Sequence, residues 1–347
     1  MTPLVLLTGA NGFLGAHTAL ALLQAGYGVR AAVRDVDKAA SRFAGFVPEA
    51  QRPRLSFVPL DLTRDYGWHE AAQGCAYVVH SASPVPFGPV ANAAEVIEPA
   101  CAGTLRALRA ARTAGVQRVV VTSSTAAVLW GHPRDGSKIF DEQDWSVLTP
   151  AVAAYERSKT LAEQAAWRYM AELPKNERFE LVTILPGAIL GPLLDGAFSV
   201  SGQIVRALLA RELPGIPDLG FALADVRDVA AMHVAAMTAP AAANQRFIVA
   251  GEHTPLADIA RILARELTPR GFRIPRRPLP SLLIKAMAFW DATAALVAAE
   301  LGKRQDVSSE RARQLLGWTP RSTEEMTLAM AESMLEHGVV PAPRARR

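Results

Sequence analysis

The feature that most constrains this chain is an apolar run, residues 4–7 (LVLL), ending in Thr8, Gly9, Ala10, Asn11, Gly12, Phe13, Leu14 and Gly15 and passing at once into a helical pattern over residues 16–25. A buried parallel strand that stops in glycines and turns directly into a helix opens a dinucleotide-binding βαβ unit. Each glycine has its own task. Gly9 allows a sharp turn, Gly12 lets backbone approach a pyrophosphate, and Gly15 lets helix pack closely on strand. The phosphates would rest on the free amides and positive dipole end of that helix. A second strand over residues 28–33 follows, as the unit requires, so nucleotide binding is the expectation.

A chain of 347 residues can bury a large core, in one big domain or two modest ones. Its 50% apolar and 20% charged content is that of a soluble globular protein. No charged leader precedes the first strand, and Cys75 and Cys101 sit in apolar surroundings as expected free thiols, so a cytoplasmic protein is expected. No His or Cys grouping has metal-ligand spacing, and no metal is expected. The net charge of +4 owes much to Arg270, Arg273, Arg276 and Arg277 and to the tail Arg344, Arg346 and Arg347, all in Pro-rich or terminal segments. Solvated charge, not nucleic-acid binding, is the reading. Residues 282–301 are apolar enough to suggest a membrane span, but Lys285, Asp291 and Glu300 interrupt them. A core helix, or a helix over a substrate pocket, is expected there, with no membrane partner.

Along the chain, the second strand ends at Arg34, where a dinucleotide fold handles the adenosine ribose. A basic residue there suits a 2′-phosphate and hence NADP(H), while Asp35 beside it keeps NAD open. A third strand, residues 55–60, ends at Asp61 and Leu62; Asp61 reads as a cap for a helical segment from Arg64. A fourth, residues 76–80, delivers Ser81, Ala82 and Ser83 to the sheet's carboxyl edge, where open α/β sheets place ligands. His80 on that strand reads as a packed core residue. Pro84, Val85, Pro86 and Phe87 form a stiff apolar loop, expected to wall a substrate site. A helix over residues 93–114 follows, then a fifth strand over residues 116–121, which delivers Thr122, Ser123, Ser124 and Thr125. Tyr155 and Lys159 come next, four apart and therefore on one helix face. A fixed lysine there can hold ribose hydroxyls and favour the phenolate of its neighbour. Bringing a phenol from about 10 toward neutrality takes about 4 kcal/mol, more than one exposed ion pair supplies.

The glycine spacing resembles that of the short-chain dehydrogenases/reductases. The stretches VVVTSSTAAV, FDEQDW, YERSKTLAEQAAW and DVRDVA resemble the extended members, in the dihydroflavonol reductase branch of aldehyde and ketone reductases. The likeness spans nearly the whole chain and is densest over residues 118–230. It implies Tyr155 as general acid, Lys159 as its electrostatic partner and Ser124 as the donor to the substrate oxygen, with Ser123 the alternative for that last role. It places Asp61 and the Leu62 amide at the adenine, and Pro186, Gly187 and Ile189, after the sixth strand (residues 181–185), at the nicotinamide. Many relatives carry a proton-relaying asparagine just before a Gly-Thr pair; Ala102 stands before Gly103 and Thr104. Where plant flavonoid reductases place an asparagine to read the ring hydroxyls, this chain has Leu129. The cinnamoyl-CoA reductase signature NWYCYGK is replaced by AAYERSK, which disfavours coenzyme A esters.

The expectation is therefore an α/β protein. A Rossmann-type doubly wound parallel sheet (residues 1–190 plus about 225–250) binds NADP(H), and a smaller, mostly helical substrate domain is built from about 191–224 and 251–340. Within these, a helix over residues 200–209, another over 225–237 capped by Asp228, and a strand over 246–249 are expected, with 341–347 disordered. The activity implied is NADPH-dependent reduction of aldehydes or ketones, in an apolar pocket including Phe87, Leu129, Phe198 and Phe221. The alternatives are an NAD-dependent nucleotide-sugar epimerase or dehydratase, and a cofactor-binding sensor without turnover. Alanine-rich helix faces, residues 93–114 and 161–171, suit a monomer or a homodimer.

Overall fold

Ten strands are present among the described residues, which in this computed structural model are 2–86 and 88–341. They are β1 (Leu4–Thr8), β2 (Gly28–Val33), β3 (Leu55–Pro59), β4 (Tyr77–His80), β5 (Arg118–Thr122), β6 (Glu180–Pro186), β7 (Ala188–Leu190), β8 (Gly220–Asp225), β9 (Arg246–Val249) and β10 (His253–Pro255). Seven form one sheet in the order β3-β2-β1-β4-β5-β6-β9, with every neighbouring pair parallel. Strands buried on both faces read as unbroken apolar runs, and Val5, Leu6, Leu7, Val119, Val120, Leu181 and Val182 are all fully buried. The order reverses between β1 and β4, which is where a doubly wound sheet opens its ligand crevice.

Helices cover both faces. On one lie α1 (Phe13–Gln24), α2 (Val36–Ala44) and a later helix over Val226–Thr238, packed through Leu22, Phe43, Val229 and Met237. On the other lie α3 (Trp68–Ala72), α4 (Ala94–Ala114) and α5 (Ala154–Glu172), packed through Trp68, Leu108, Ala111 and Ala166. The remaining helices are α6 (Gly202–Leu209), α7 (the Val226–Thr238 helix), α8 (Leu256–Leu267), α9 (Ser281–Met287), α10 (Ala292–Glu300), α11 (Glu310–Leu316) and α12 (Thr323–Glu336).

Several expectations are corrected, and one is extended: the mostly helical region after Gly191 also contributes strands. A second sheet, β10-β8-β7, packs there with α6, α8 and α12 around Leu190, Val205, Leu223, Ile259, Leu263 and Met330. Two of its strands are three residues long, too short for a period-two pattern to register. Asp228 does not cap α7. Asp225 does, accepting from the Arg227 amide at 2.8 Å, while Asp228 takes the Arg321 amide at 2.9 Å and pairs with its guanidinium. Nor does Asp61 cap a helix, because no helix starts at Arg64. Asp61 closes a turn on the Thr63 amide and hydroxyl at 2.8 and 2.7 Å. Residues 282–301 are not one core helix either. Asp291 caps α10 through the Ala294 amide at 2.7 Å and so divides the run in two, and only Ile284 and Ala294 of α9 and α10 are buried.

No helix among the described residues is long and apolar enough to cross a membrane. Cys75 is buried and Cys101 half-buried, and both are free. Phe87 and residues 342–347, part of the expected disordered tail, lie outside the described residues.

Candidate active site

The glycine turn is built as its spacing requires. Gly9 has φ 71°, and a Cβ on it would come within 2.7 Å of the Ala82 amide nitrogen. A Cβ on Gly15 would sit 2.0 Å from the Gly9 carbonyl oxygen, so α1 packs directly on the turn. Gly12 is exposed, and no side chain caps α1, which leaves the first amides of the helix free. Thr8 is buried and its hydroxyl is spent on the fold, bonded to His80 Nδ1 at 2.8 Å and accepting from the Ala82 amide at 3.2 Å. Asn11 is exposed, while Phe13 is buried in the second core and Leu14 lies between the two cores. One organising residue was not read from the sequence: Arg42 of α2 binds the Asn11 carbonyl and pairs with Asp195, tying the glycine turn to the segment after β7.

At the edge of β2, Arg34 is exposed and Asp35 is occupied as the cap of α2, accepting from the Lys38 amide at 3.0 Å. Bonds from Thr63 hold the half-buried Asp61 below the usual carboxylate range. Leu62 presses on α4 where a Cβ on Gly103 would lie 2.1 Å from Leu62 Cδ1. These features fit a dinucleotide. A cradle that a Cβ would fill, a helix start without a side-chain cap among the described residues, and the exposed Arg34 share the carboxyl edge of β1 and β2, next to the reversal of strand order.

At the carboxyl edge of β4 and β5, Ser81 Oγ bonds Thr122 Oγ1 at 2.7 Å, and Thr122 Oγ1 bonds His233 Nε2 of α7 at 2.7 Å. Both hydroxyls therefore brace the crevice floor. Ala82, Ser83 and Pro84 are half-buried and Val85 is exposed. Pro186 is buried; Gly187 is where the chain crosses between sheets, a Cβ there lying 2.1 Å from the Ala222 carbonyl oxygen. Ile189 is half-buried on β7.

Tyr155 and Lys159 occupy the first turns of α5. The Lys159 side chain is buried, and Nζ donates to the Thr122 carbonyl at 3.2 Å. Burial brings its ammonium down to about 8, against the pull of Glu163 one turn further on. Tyr155 is half-buried; burial pushes its phenol up to about 12, outweighing the opposing pull of the Ser124 side chain. The surrounding protein thus moves this phenol away from neutrality, opposite to the shift a standing phenolate would need.

The two serines are distinguished by their partners. Ser123 Oγ donates to Glu163 at 2.6 Å, whereas Ser124 caps a short turn, accepting from the Ala126 amide at 3.1 Å. Glu163 is fully buried and also takes Thr183 Oγ1 at 2.8 Å and Arg246 Nε at 2.8 Å. Arg246 in turn stacks 3.7 Å above the Trp145 ring and donates to the Glu142 and Asp144 carbonyls at 2.7 and 2.8 Å. This buried pair holds the floor of the site to the loop between Ser124 and Tyr155. Glu163 follows Lys159 by four residues on the same helix face, a spacing that could have flagged it; Arg246 gave no such signal.

Below Lys159 is a cavity of about 10 Å³ for a water's centre, lined by His80, Ser83, Thr104, Thr122, Ser123 and Glu163 among others, which is room for about one water. His80 Nε2 has no hydrogen-bond partner among the described residues, and burial with the nearby Lys159 charge holds that ring down to about 3. His80 is a packed, neutral residue, as its strand position suggests.

The expected substrate wall is partly corrected. Leu129 is fully buried with Phe140, Leu185, Ala222 and Ile248, so it is core and not pocket lining. The chain leaves Ser124 through a tight turn, Thr125–Ala127, that carries it inward. Phe198 and Phe221 are half-buried against the second core. A larger cleft of about 410 Å³ over α8, lined by Ile216, Arg261, Ala264 and Arg276, contains none of the three expected catalytic residues.

Residues 5–251 match the NAD dependent epimerase/dehydratase family. Among similar curated proteins, a Medicago truncatula cinnamoyl-CoA reductase is 33% identical over 270 residues, 76% of this chain and 81% of that protein. A Zea mays dihydroflavonol 4-reductase is 31% identical over 280 residues, 79% of this chain and 76% of that protein. Among solved structures, yeast methylglyoxal/isovaleraldehyde reductase Gre2 complexed with NADPH is 26% identical, with a TM-score of 0.81, and covers 97% of this chain and 99% of that one.

Proposed function

This chain belongs to the NAD dependent epimerase/dehydratase family, the extended short-chain dehydrogenases, and on that footing we propose that it is an NADPH-dependent carbonyl reductase that turns aldehydes or ketones into alcohols, with Tyr155 as general acid. Its relatives are named reductases, and the Gre2 neighbour binds NADPH. The observation that carries the reading is Lys159, buried one turn from Tyr155 on α5 with its Nζ held by the Thr122 carbonyl at 3.2 Å, directly before the two serines that follow β5.

When bound, the reduced nicotinamide supplies hydride to the carbonyl carbon. The chain's own residues manage the oxygen. Ser124, freed from Glu163 by its neighbour, donates to the substrate oxygen and fixes its place. Tyr155, with its phenol near 12, is protonated at neutral pH and passes that proton to the oxygen as negative charge develops. Lys159, still mostly cationic at neutral pH, stabilises the phenolate left behind. Arg34, exposed at the end of β2, supports the 2′-phosphate of NADP(H), and the occupied Asp35 leaves that edge without a free carboxylate for a ribose diol.

As substrates, the half-buried Phe198 and Phe221 and the exposed Val85 favour apolar or aromatic carbonyls over sugar nucleotides. The test is oxidation of NADPH, followed by absorbance, with aromatic, aliphatic and α-keto carbonyls and a hydroxycinnamoyl-CoA ester. Turnover that Tyr155→Phe abolishes supports the reading. Silence across the panel, with NAD(H) held through purification, would move the chain to the epimerases.

A further inference from the structure

We propose that the α9–α10 hairpin docks this protein on the surface of a membrane rich in anionic lipid. The hairpin presents apolar side chains to solvent: Phe289 is 88% exposed, Leu282 80% and Trp290 75%, with Leu283, Met287 and Leu296 also exposed. A soluble fold normally leaves large side chains like these exposed singly, so their clustering on two short helices marks a surface that meets something.

The fold does not account for this exposure. The hairpin is tethered at its ends, by the Leu279 amide donating to the Ile216 carbonyl at 2.8 Å and by the Glu300 carboxylate accepting from Arg134 at 2.7 Å. Between those ties only Ile284 and Ala294 are buried. Phe289 and Leu282 are the most exposed of these side chains. They are placed to enter a deformable apolar phase more readily than to match a rigid partner.

Charge identifies the occupant. Residues 273–290 hold Arg273, Arg276, Arg277 and Lys285 and no carboxylate; with Asp291 and Glu300 of the hairpin counted, residues 273–300 keep a net charge of +2, half the chain's balance of +4. All four cations are exposed. Aromatic and leucine tips between arginines and a lysine suit an interfacial element, with the rings at headgroup depth and the cations against lipid phosphates. A second copy of the chain fits less well, because a two-fold contact would bring these cations against their own counterparts. The charges that keep residues 282–301 from spanning a bilayer do not oppose this shallower placement.

The experiment is flotation of the full-length protein with vesicles of phosphatidylcholine alone and of phosphatidylcholine with an equal part of phosphatidylglycerol. The expected result is flotation with the anionic vesicles, weakened by high salt. F289S/W290S should cut the floated fraction about tenfold with an unchanged unfolding temperature. R276E/R277E should remove the preference for phosphatidylglycerol, since each lost cation lowers partitioning roughly fivefold. The proposal is overturned if the wild type floats with neither vesicle, if F289S/W290S floats as well as the wild type, or if sedimentation shows a dimer that F289S/W290S dissociates.

Discussion

Ser123 Oγ donates to the Glu163 carboxylate at 2.6 Å, and this bond turns the first serine of the pair into the protein, while Ser124 Oγ accepts only from the nearby Ala126 amide at 3.1 Å among the described residues. Adjacent residues of one type thereby acquire separate surroundings, to which the proposed reaction gives separate tasks.

The separation is open to direct measurement. Ser124→Ala should lower kcat about a hundredfold, as loss of one donor to a developing oxyanion does, with little change in thermal stability. Ser123→Ala should do the reverse, leaving kcat within a few fold and removing about 1–3 kcal/mol of stability through the under-satisfied buried Glu163. The assignment fails if the two variants exchange these effects.

Lys159 should leave two marks on pH dependence. For the free enzyme, kcat/KM of carbonyl reduction should fall as pH rises through about 8, where the buried ammonium loses its charge. Its effect on stability has the opposite sign. Its folded value lies below that of an unfolded lysine, so between about 8 and the ordinary lysine range the unfolded chain binds the extra proton and stability rises with pH. Lys159→Met should therefore be inactive yet more stable near neutrality, by at most about 3 kcal/mol, with the gain shrinking toward pH 10. A variant whose stability followed the wild type at every pH would count against the buried ammonium.

Arg34→Ala should weaken NADPH binding roughly ten- to a hundredfold, since a charge-assisted bond contributes about 1.5–3 kcal/mol. NADH binding should stay unchanged. Fluorescence titration with both cofactors reads this, and equal losses for the two would place Arg34 away from the 2′-phosphate.

Acid should unfold the protein partly through His80 and His233, which burial holds down to about 3 and about 4. Below the ordinary histidine range the unfolded chain takes up protons that the folded chain refuses. Stability is then complete above about 6.5 and is lost as pH falls toward 4 and 3, with a limiting slope of about 2.7 kcal/mol per pH unit for the pair. Denaturant titrations of His233→Gln across this window should show about half that slope; an unchanged slope would remove His233 from the account.

What local sequence determined is whatever depends on neighbours along the chain. The glycine turn, the run of apolar strands and the Tyr155–Lys159 spacing are properties of one strand, one turn and one helix face, so they were legible residue by residue, together with the doubly wound sheet they imply. The structure alone decided what depends on partners far away in sequence. Whether Asp225 or Asp228 capped α7 turned on Arg321, whether Leu129 faced a pocket or the core turned on Phe140 and Ile248, and the partner of Ser123 was the distant Glu163. Local propensity is written into a few adjacent residues, but burial and the satisfaction of buried polar groups are settled only when distant segments meet, and that meeting gave this site its buried floor.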